Sequence, residues 1–218
     1  MNQEIFNAMA QSIMEGDAEG AERLAIRALE AVVDPLDAIN RGFIVGLDKV
    51  GELFSAGEAF LPELVMAGEA MKAAVNTLEP EMAKRGVGRQ ILGTIILGTI
   101  EGDIHDIGKS LVGTMLSVAG FKVFDLGVDV PVLTLIEKAR EEHADMIGVS
   151  ALLTTTMVKQ RDVVEALEDL GLRGSIKVLV GGAPVTQAWA DEIGADGYSE
   201  DALGAVAVAK ALLAPTAI

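Results

Sequence analysis

The stretch Ile91-Leu92-Gly93-Thr94-Ile95-Ile96-Leu97-Gly98-Thr99-Ile100-Glu101-Gly102-Asp103-Ile104-His105-Asp106-Ile107-Gly108-Lys109-Ser110 is where the hydrophobic pattern of the chain changes. Ile91 to Leu97 is a short apolar run of strand length, and from Ile107 the apolar residues follow helical spacing to about residue 119. A buried-looking strand that passes through a polar, glycine-bearing loop into a helix opens an α/β unit. The alternation continues downstream. Apolar runs recur at Lys122 to Leu126, Met146 to Ser150 and Val178 to Val180, with a weaker fifth at Gly197-Tyr198. Between them, helices are predicted near 132–142, 156–170 and 184–193, with a last one near 201–213. Strand–helix alternation predicts a parallel sheet covered on both faces. Ligands of such sheets bind beyond the carboxyl ends of the strands, where the strand order reverses. Functional residues are therefore expected in the loops that follow strands.

Upstream of this stretch only helical spacing is found. Asp34-Pro35 is a helix start, a capping acid followed by a proline at the position where a missing N–H costs nothing. Leu36, Ile39, Phe43, Leu47, Val50 and Phe54 form its apolar stripe, and Gly42 and Gly46 within it suggest close packing. Another helix starts around Leu61-Pro62, and two earlier ones are read around Ile5, Met9 and Ile13 and after Asp17. Four amphipathic helices with short joints predict a small bundle. The expected organisation is a helical domain over 1–86 and an α/β domain over 90–218, with Gly86-Val87-Gly88 as a candidate hinge.

Composition narrows the function classes. The chain has 218 residues, half of them apolar and 4% aromatic, with no Cys, so disulfides, thiolate metal sites and thiol nucleophiles are excluded. Asp and Glu outnumber Lys and Arg by 33 to 17, a formal charge of -16, which argues against nucleic acid and anionic membrane surfaces as partners. The N-terminus lacks the pattern of a secretory signal and no stretch is long and uncharged enough to span a bilayer, so a cytoplasmic location is expected.

The loop after the first strand ends in Gly-Lys-Ser and invites a phosphate-loop reading, which fails on two counts. Gly102 and Gly108 enclose five residues where that loop needs four, and Glu101, Asp103 and Asp106 would face the phosphates. A protein-only zinc site is disfavoured because the chain has two His and no Cys. His143, in a polar helix end, reads as an ordinary surface residue. His105 differs: Asp103 precedes it by two residues, and a metal-ligating His commonly donates its second ring N–H to a carboxylate. One His with a supporting Asp suits a metal that arrives already held by a macrocycle.

Asp103-x-His105-x-x-Gly108 resembles the Asp-x-His-x-x-Gly signature of cobalamin-binding domains in B12-dependent methyltransferases and mutases. Two later signals of that family are also present, Ser150-Ala151-Leu152 after the third strand and Gly181-Gly182 after the fourth. The resemblance implies a Rossmann-like, flavodoxin-like cobalamin-binding domain. His105 is then the lower axial ligand of cobalt in a base-off/His-on arrangement. Ser150, Gly181 and Gly182 would line a slot for the displaced nucleotide tail, because small residues allow close backbone approach. Leu152 belongs to the Ser motif. Of Thr154, Thr155 and Thr156, one hydroxyl would line the slot and another, aligned at Thr156, would extend the His105–Asp103 relay.

In the helical part, the run from Val50 to Glu63 resembles the cap module of methionine synthase and of small corrinoid proteins. The matching positions Phe54, Leu61 and Leu64 would cover the upper face of the corrin, with ordinary bundle core as the other reading. The resemblance is strongest to the stand-alone corrinoid proteins of methylamine-type methyltransferase systems. It implies a methyl carrier with no catalytic residues of its own, holding cobalamin or a related corrinoid (methylcobalamin when loaded). Such a carrier accepts a methyl group from a substrate:corrinoid methyltransferase and passes it to a corrinoid:acceptor methyltransferase, the acceptor being tetrahydrofolate or coenzyme M, and depends on a reductive activase. A B12-dependent sensor or regulatory module is the alternative, and an adenosylcobalamin mutase subunit the enzyme rival.

Overall fold

The computed structural model describes residues 2–85 and 91–214 of the chain. Gly86-Val87-Gly88, the candidate hinge, lies outside the described residues. The chain divides into two compact units, 1–90 and 91–218.

The first unit is helical. Helices α1 (Asn2–Met14) and α2 (Ala18–Glu30) are followed by α3 (Pro35–Ala38), a π-helical turn (Ile39–Phe43) and α4 (Ile44–Ser55), which run on without a break. Helix α5 (Leu61–Lys84) completes the unit. Asp17 caps α2 through Gly20 N–H at 2.8 Å, and Asp34 caps α3 through the N–H groups of Leu36 and Asp37. The four expected helices are thus present, the third carrying a π turn. Gly46 explains how close α1 lies: a Cβ there would stand 2.2 Å from the Ala10 carbonyl oxygen. Phe43, Met9, Leu64, Met71 and Leu78 are fully enclosed and make the core of this unit.

The second unit is a five-stranded, wholly parallel sheet of order β2-β1-β3-β4-β5. Its strands are β1 (Thr94–Thr99), β2 (Lys122–Asp125), β3 (Met146–Ser150), β4 (Lys177–Gly181) and β5 (Gly197–Tyr198). Between them run α6 (Ile107–Ala119), α7 (Val132–Glu141), α8 (Thr154–Met157), α9 (Gln160–Asp169) and α10 (Gln187–Ile193), with α11 (Ala202–Leu212) last. The predicted α/β class and its flavodoxin-like strand order are observed. The helix expected over 156–170 is two helices, separated at Val158-Lys159.

Alternate strand residues feed two cores. Ile96, Ile147, Val178 and Val180 pack with Leu135, Val163 and Leu167 of α7 and α9. Ile95, Met146 and Leu179 pack on the other face with Leu116 of α6 and Ala205 and Ala209 of α11. Burying each large aliphatic side chain contributes about 1.5–3 kcal/mol, so the two apolar faces fix the position of β1 and β3 in the middle of the sheet. Strand order reverses between these two strands, and the register pairs Thr99 with Ser150 and Ser150 with Gly181. The residues that end β1, β3 and β4 therefore stand side by side at the carboxyl edge.

Candidate functional site

The site begins where β1 ends. Asp103 has no exposed surface, and its carboxylate is the hub of a network. Oδ1 lies 2.7 Å from His105 Nδ1 and accepts the His105 backbone N–H at 3.1 Å. Oδ2 accepts the Thr156 hydroxyl at 2.6 Å and the backbone N–H groups of Leu152 at 2.7 Å and Leu153 at 3.3 Å. The Leu153 carbonyl, 3.0 Å from the Thr156 hydroxyl, already receives the N–H groups of Thr156 and Met157, which leaves the hydroxyl proton to Asp103. Burial by itself would raise the Asp103 pKa. The hydrogen bonds from Thr156, the His105 ring, Leu152 N–H and His105 N–H outweigh it and hold the carboxyl far below the usual carboxylate range.

This carboxylate decides the state of the imidazole. An ionised carboxylate only accepts, so Nδ1 carries a proton, and in the neutral ring the lone pair is on Nε2. The His105 side chain is 46% exposed, and Nε2 has no hydrogen-bond partner among the described residues. At the same edge of the sheet Ile104 is 75% and Ile107 74% exposed, and Val128, Leu152 and Leu153 are exposed as well. An exposed aliphatic surface at the edge that also bears the imidazole could receive a flat, largely apolar macrocycle. A Cβ at Gly108 would meet nothing of the protein within 4 Å, so this face of the first turn of α6 is open.

At the ends of β3 and β4, Ser150 is half-buried and Gly181 and Gly182 lie beside it. Gly182 has φ +121°, and a Cβ there would stand 1.8 Å from the Ala151 carbonyl oxygen, so this pair of loops is closed to any side chain at 182. Thr156 and the backbone of Leu152 join the Asp103 network, whereas Thr154 is exposed outside it. In the helical unit, Phe54 is half-buried in the last turn of α4 and Leu61 is exposed at the start of α5. Leu64 has no exposed surface and belongs to that unit's core.

Two residues that sequence reasoning passed over brace this region, and a third stands in the helical unit. Lys109, the lysine of the phosphate-loop lookalike, is buried and spends its ammonium on both carboxylate oxygens of Asp125 at the end of β2. Gln160, fully buried, donates to the carbonyls of Val149 at 2.9 Å and Gly181 at 3.2 Å, and accepts the indole N–H of Trp189 at 3.1 Å. Phe60 is 67% exposed next to Leu61. Only Phe60 left a trace in the sequence, in the apolar pair that precedes Pro62. Among the described residues, no group of three or more His, Asp or Glu side chains gathers to hold a metal ion, and no helix is long and apolar enough to cross a membrane.

Comparison with known proteins places the site in context. A family model described as B12 binding domain matches residues 93–207, and a second with the same description matches residues 5–79. Trimethylamine corrinoid protein 1 of Methanosarcina mazei is 51% identical over 211 residues, which cover 97% of this chain and 98% of that protein. Dimethylamine corrinoid protein 2 of Methanosarcina acetivorans is 54% identical over 189 residues, 87% of each chain. Among solved structures, a chain of the methanol:cobalamin methyltransferase complex of Methanosarcina barkeri matches with a TM-score of 0.84 at 32% identity, covering 98% of this chain and 81% of that one.

Proposed function

The chain belongs to the B12 binding domain family, and from that premise we propose that it is a corrinoid-dependent methyl carrier working between two methyltransferases. When bound, the corrinoid supplies a cobalt ion that takes up a methyl group as a nucleophile and yields it to an acceptor. The observation that carries this reading is the His105–Asp103 pair: a half-exposed imidazole whose Nε2 lone pair is held ready by a buried, ionised carboxylate.

In this proposal His105 Nε2 is the lower axial ligand, and the cofactor's own base is displaced. Asp103 retains the proton on Nδ1, fixes the ring plane and raises the donor strength of Nε2. Thr156 and Leu152 N–H anchor Asp103, so the donor strength of His105 is set by a network that spans β1 and β3. Ile104, Ile107 and the open face of Gly108 receive the lower face of the macrocycle. Ser150, Gly181, Gly182 and Thr154 border the slot for the nucleotide tail. Phe54 and Leu61, which have surface to offer, are assigned to its upper, methyl-bearing face. Leu64, assigned there by the resemblance, would need to leave its core position.

The names of the relatives favour a methylated amine as donor. The partners of the proposal are a substrate:corrinoid methyltransferase, an acceptor methyltransferase and a reductive activase, in an aqueous, cytoplasmic setting. The test begins with the protein loaded with hydroxocobalamin, reduced, and mixed with an amine methyltransferase and methylated amines. Absorbance is expected to report methylation of the cofactor, and no methylation with any amine, methanol or thiol donor overturns the carrier reading. His105→Ala is expected to keep part of its corrinoid but to absorb as a water-ligated form. An unchanged spectrum would sink the lower-ligand assignment.

A further inference from the structure

The loop that carries His105 is held from two sides, and the Asp103 carboxylate accounts for one of them. On the β2 side stands Asp129. Its backbone N–H donates to the Asp103 carbonyl at 2.9 Å, and its carboxylate Oδ1 accepts the Gly102 N–H at 2.7 Å. The two bonds grip the backbone on either side of the Gly102–Asp103 peptide. Asp129 has φ +54°, in the left-handed region that glycine occupies freely and that, among other residues, Asn and Asp tolerate best. In this turn its side chain is free to hold the Gly102 amide.

The segment bearing Asp129 is itself braced. The buried ammonium of Lys109 binds the Asp125 carboxylate, which also accepts Gly127 N–H at 2.8 Å. Gly127 C=O accepts Thr99 N–H at 3.0 Å, and the buried Thr99 hydroxyl donates to the His105 carbonyl at 2.8 Å. The segment after β2 and the end of β1 thus form one hydrogen-bonded frame under the loop.

We propose that Asp129 is a positioning residue for His105. The inference rests on the lower-ligand reading above and extends it. The Asp103 side chain sets the tautomer and the plane of the ring, but the height of the ring depends on where the Gly102-Asp103 backbone lies. Asp129 fixes that backbone before any corrinoid arrives. Without its carboxylate, binding must order the loop as well as form the bond to cobalt, and affinity falls.

The experiment uses the full chain as wild type, Asp129→Gly and Asp129→Asn. Glycine removes the carboxylate and relieves the left-handed φ, so the fold is not strained, while asparagine keeps an acceptor oxygen and tolerates the same φ. Two readouts are taken: amide hydrogen exchange at Gly102 in the corrinoid-free protein, and electron paramagnetic resonance after loading with cobinamide, a corrinoid that carries no nucleotide base of its own, and reduction to Co(II), where an axial nitrogen that splits the cobalt lines comes from the protein. Wild type and Asp129→Asn are expected to share a protected Gly102 amide and the nitrogen splitting. Asp129→Gly is expected to exchange that amide at least about tenfold faster, to bind cobinamide about tenfold more weakly, and to show a fraction without axial nitrogen, at unchanged circular dichroism. Asp129→Gly matching wild type in both readouts overturns the proposal. A wild-type spectrum without axial nitrogen refutes the lower-ligand reading and this role with it. The Gly102 amide then still tells whether Asp129 holds the loop.

Discussion

At the scale of single residues, the site turns on a buried carboxylate that is kept ionised. Asp103 has its pKa lowered on folding, so it stabilises the native state fully above the ordinary aspartate range near about 4. That contribution is lost as pH falls through the lower native value. Asp103→Asn cannot accept at both of its terminal atoms, and its amide group must face donors on one side, either His105 or Thr156 and Leu152. A loss of about 2–3 kcal/mol at neutral pH is expected in urea unfolding. The gap between variant and wild type should narrow steadily below pH 4, and a gap independent of pH would contradict the ionised carboxylate. The sequence spelled out part of this. His105 and Asp103 lie two residues apart, so their pairing is local and could be read. The Thr156 hydroxyl and Leu152 N–H reach Asp103 across 53 and 49 residues, and only a family resemblance could nominate them. Asp129 and Lys109 left no signal, because an acid in a turn and a lysine after glycine have many ordinary uses.

At the scale of elements, the carboxyl ends of β3 and β4 meet so closely that one position admits glycine alone. Gly182→Ala would place a Cβ against the Ala151 carbonyl at a backbone angle foreign to L-residues. The expected cost is about 3 kcal/mol or more in thermal or urea unfolding, with a loss of corrinoid binding greater than the loss of stability explains. A variant as stable as wild type would contradict the closeness of these loops. Element types were legible because period-2 and period-3.6 runs differ over a few residues. Boundaries were less so. The break at Val158-Lys159 follows from Thr156 turning inward to Asp103 and Gln160 turning inward to two strands, which are tertiary demands. The π turn at Ile39–Phe43 likewise lies where Gly42 meets Met9, a contact between distant helices.

For the whole molecule, each unit has its own buried core, and the residues assigned to the lower face and the tail slot all lie in residues 91–218. Anything that binds the native state alone stabilises it by mass action, about 2.7 kcal/mol at a hundred times the dissociation constant. Calorimetry with and without hydroxocobalamin should therefore move the transition of the unit bearing His105 upward, and His105→Ala should move it less. Equal shifts in the two proteins would remove His105 from the binding energy. The formal charge of -16 sets the terms of partner choice: a methyltransferase that docks here is expected to present basic groups, and their encounter to slow as salt rises.

The Gln160 joint between β3 and β4 has one more consequence. Its third arm is Trp189, the single tryptophan of the chain, whose indole N–H rests on Gln160 Oε1 while Arg161 lies 5.1 Å over its ring. All native indole emission therefore comes from one fluorophore, tied by one side chain to the ends of β3 and β4, where the slot is proposed. Corrinoids absorb strongly across the near-ultraviolet and visible, where indole emits. The protein thus carries its own optical gauge of loading, which reads the passage from empty to filled carrier without a label.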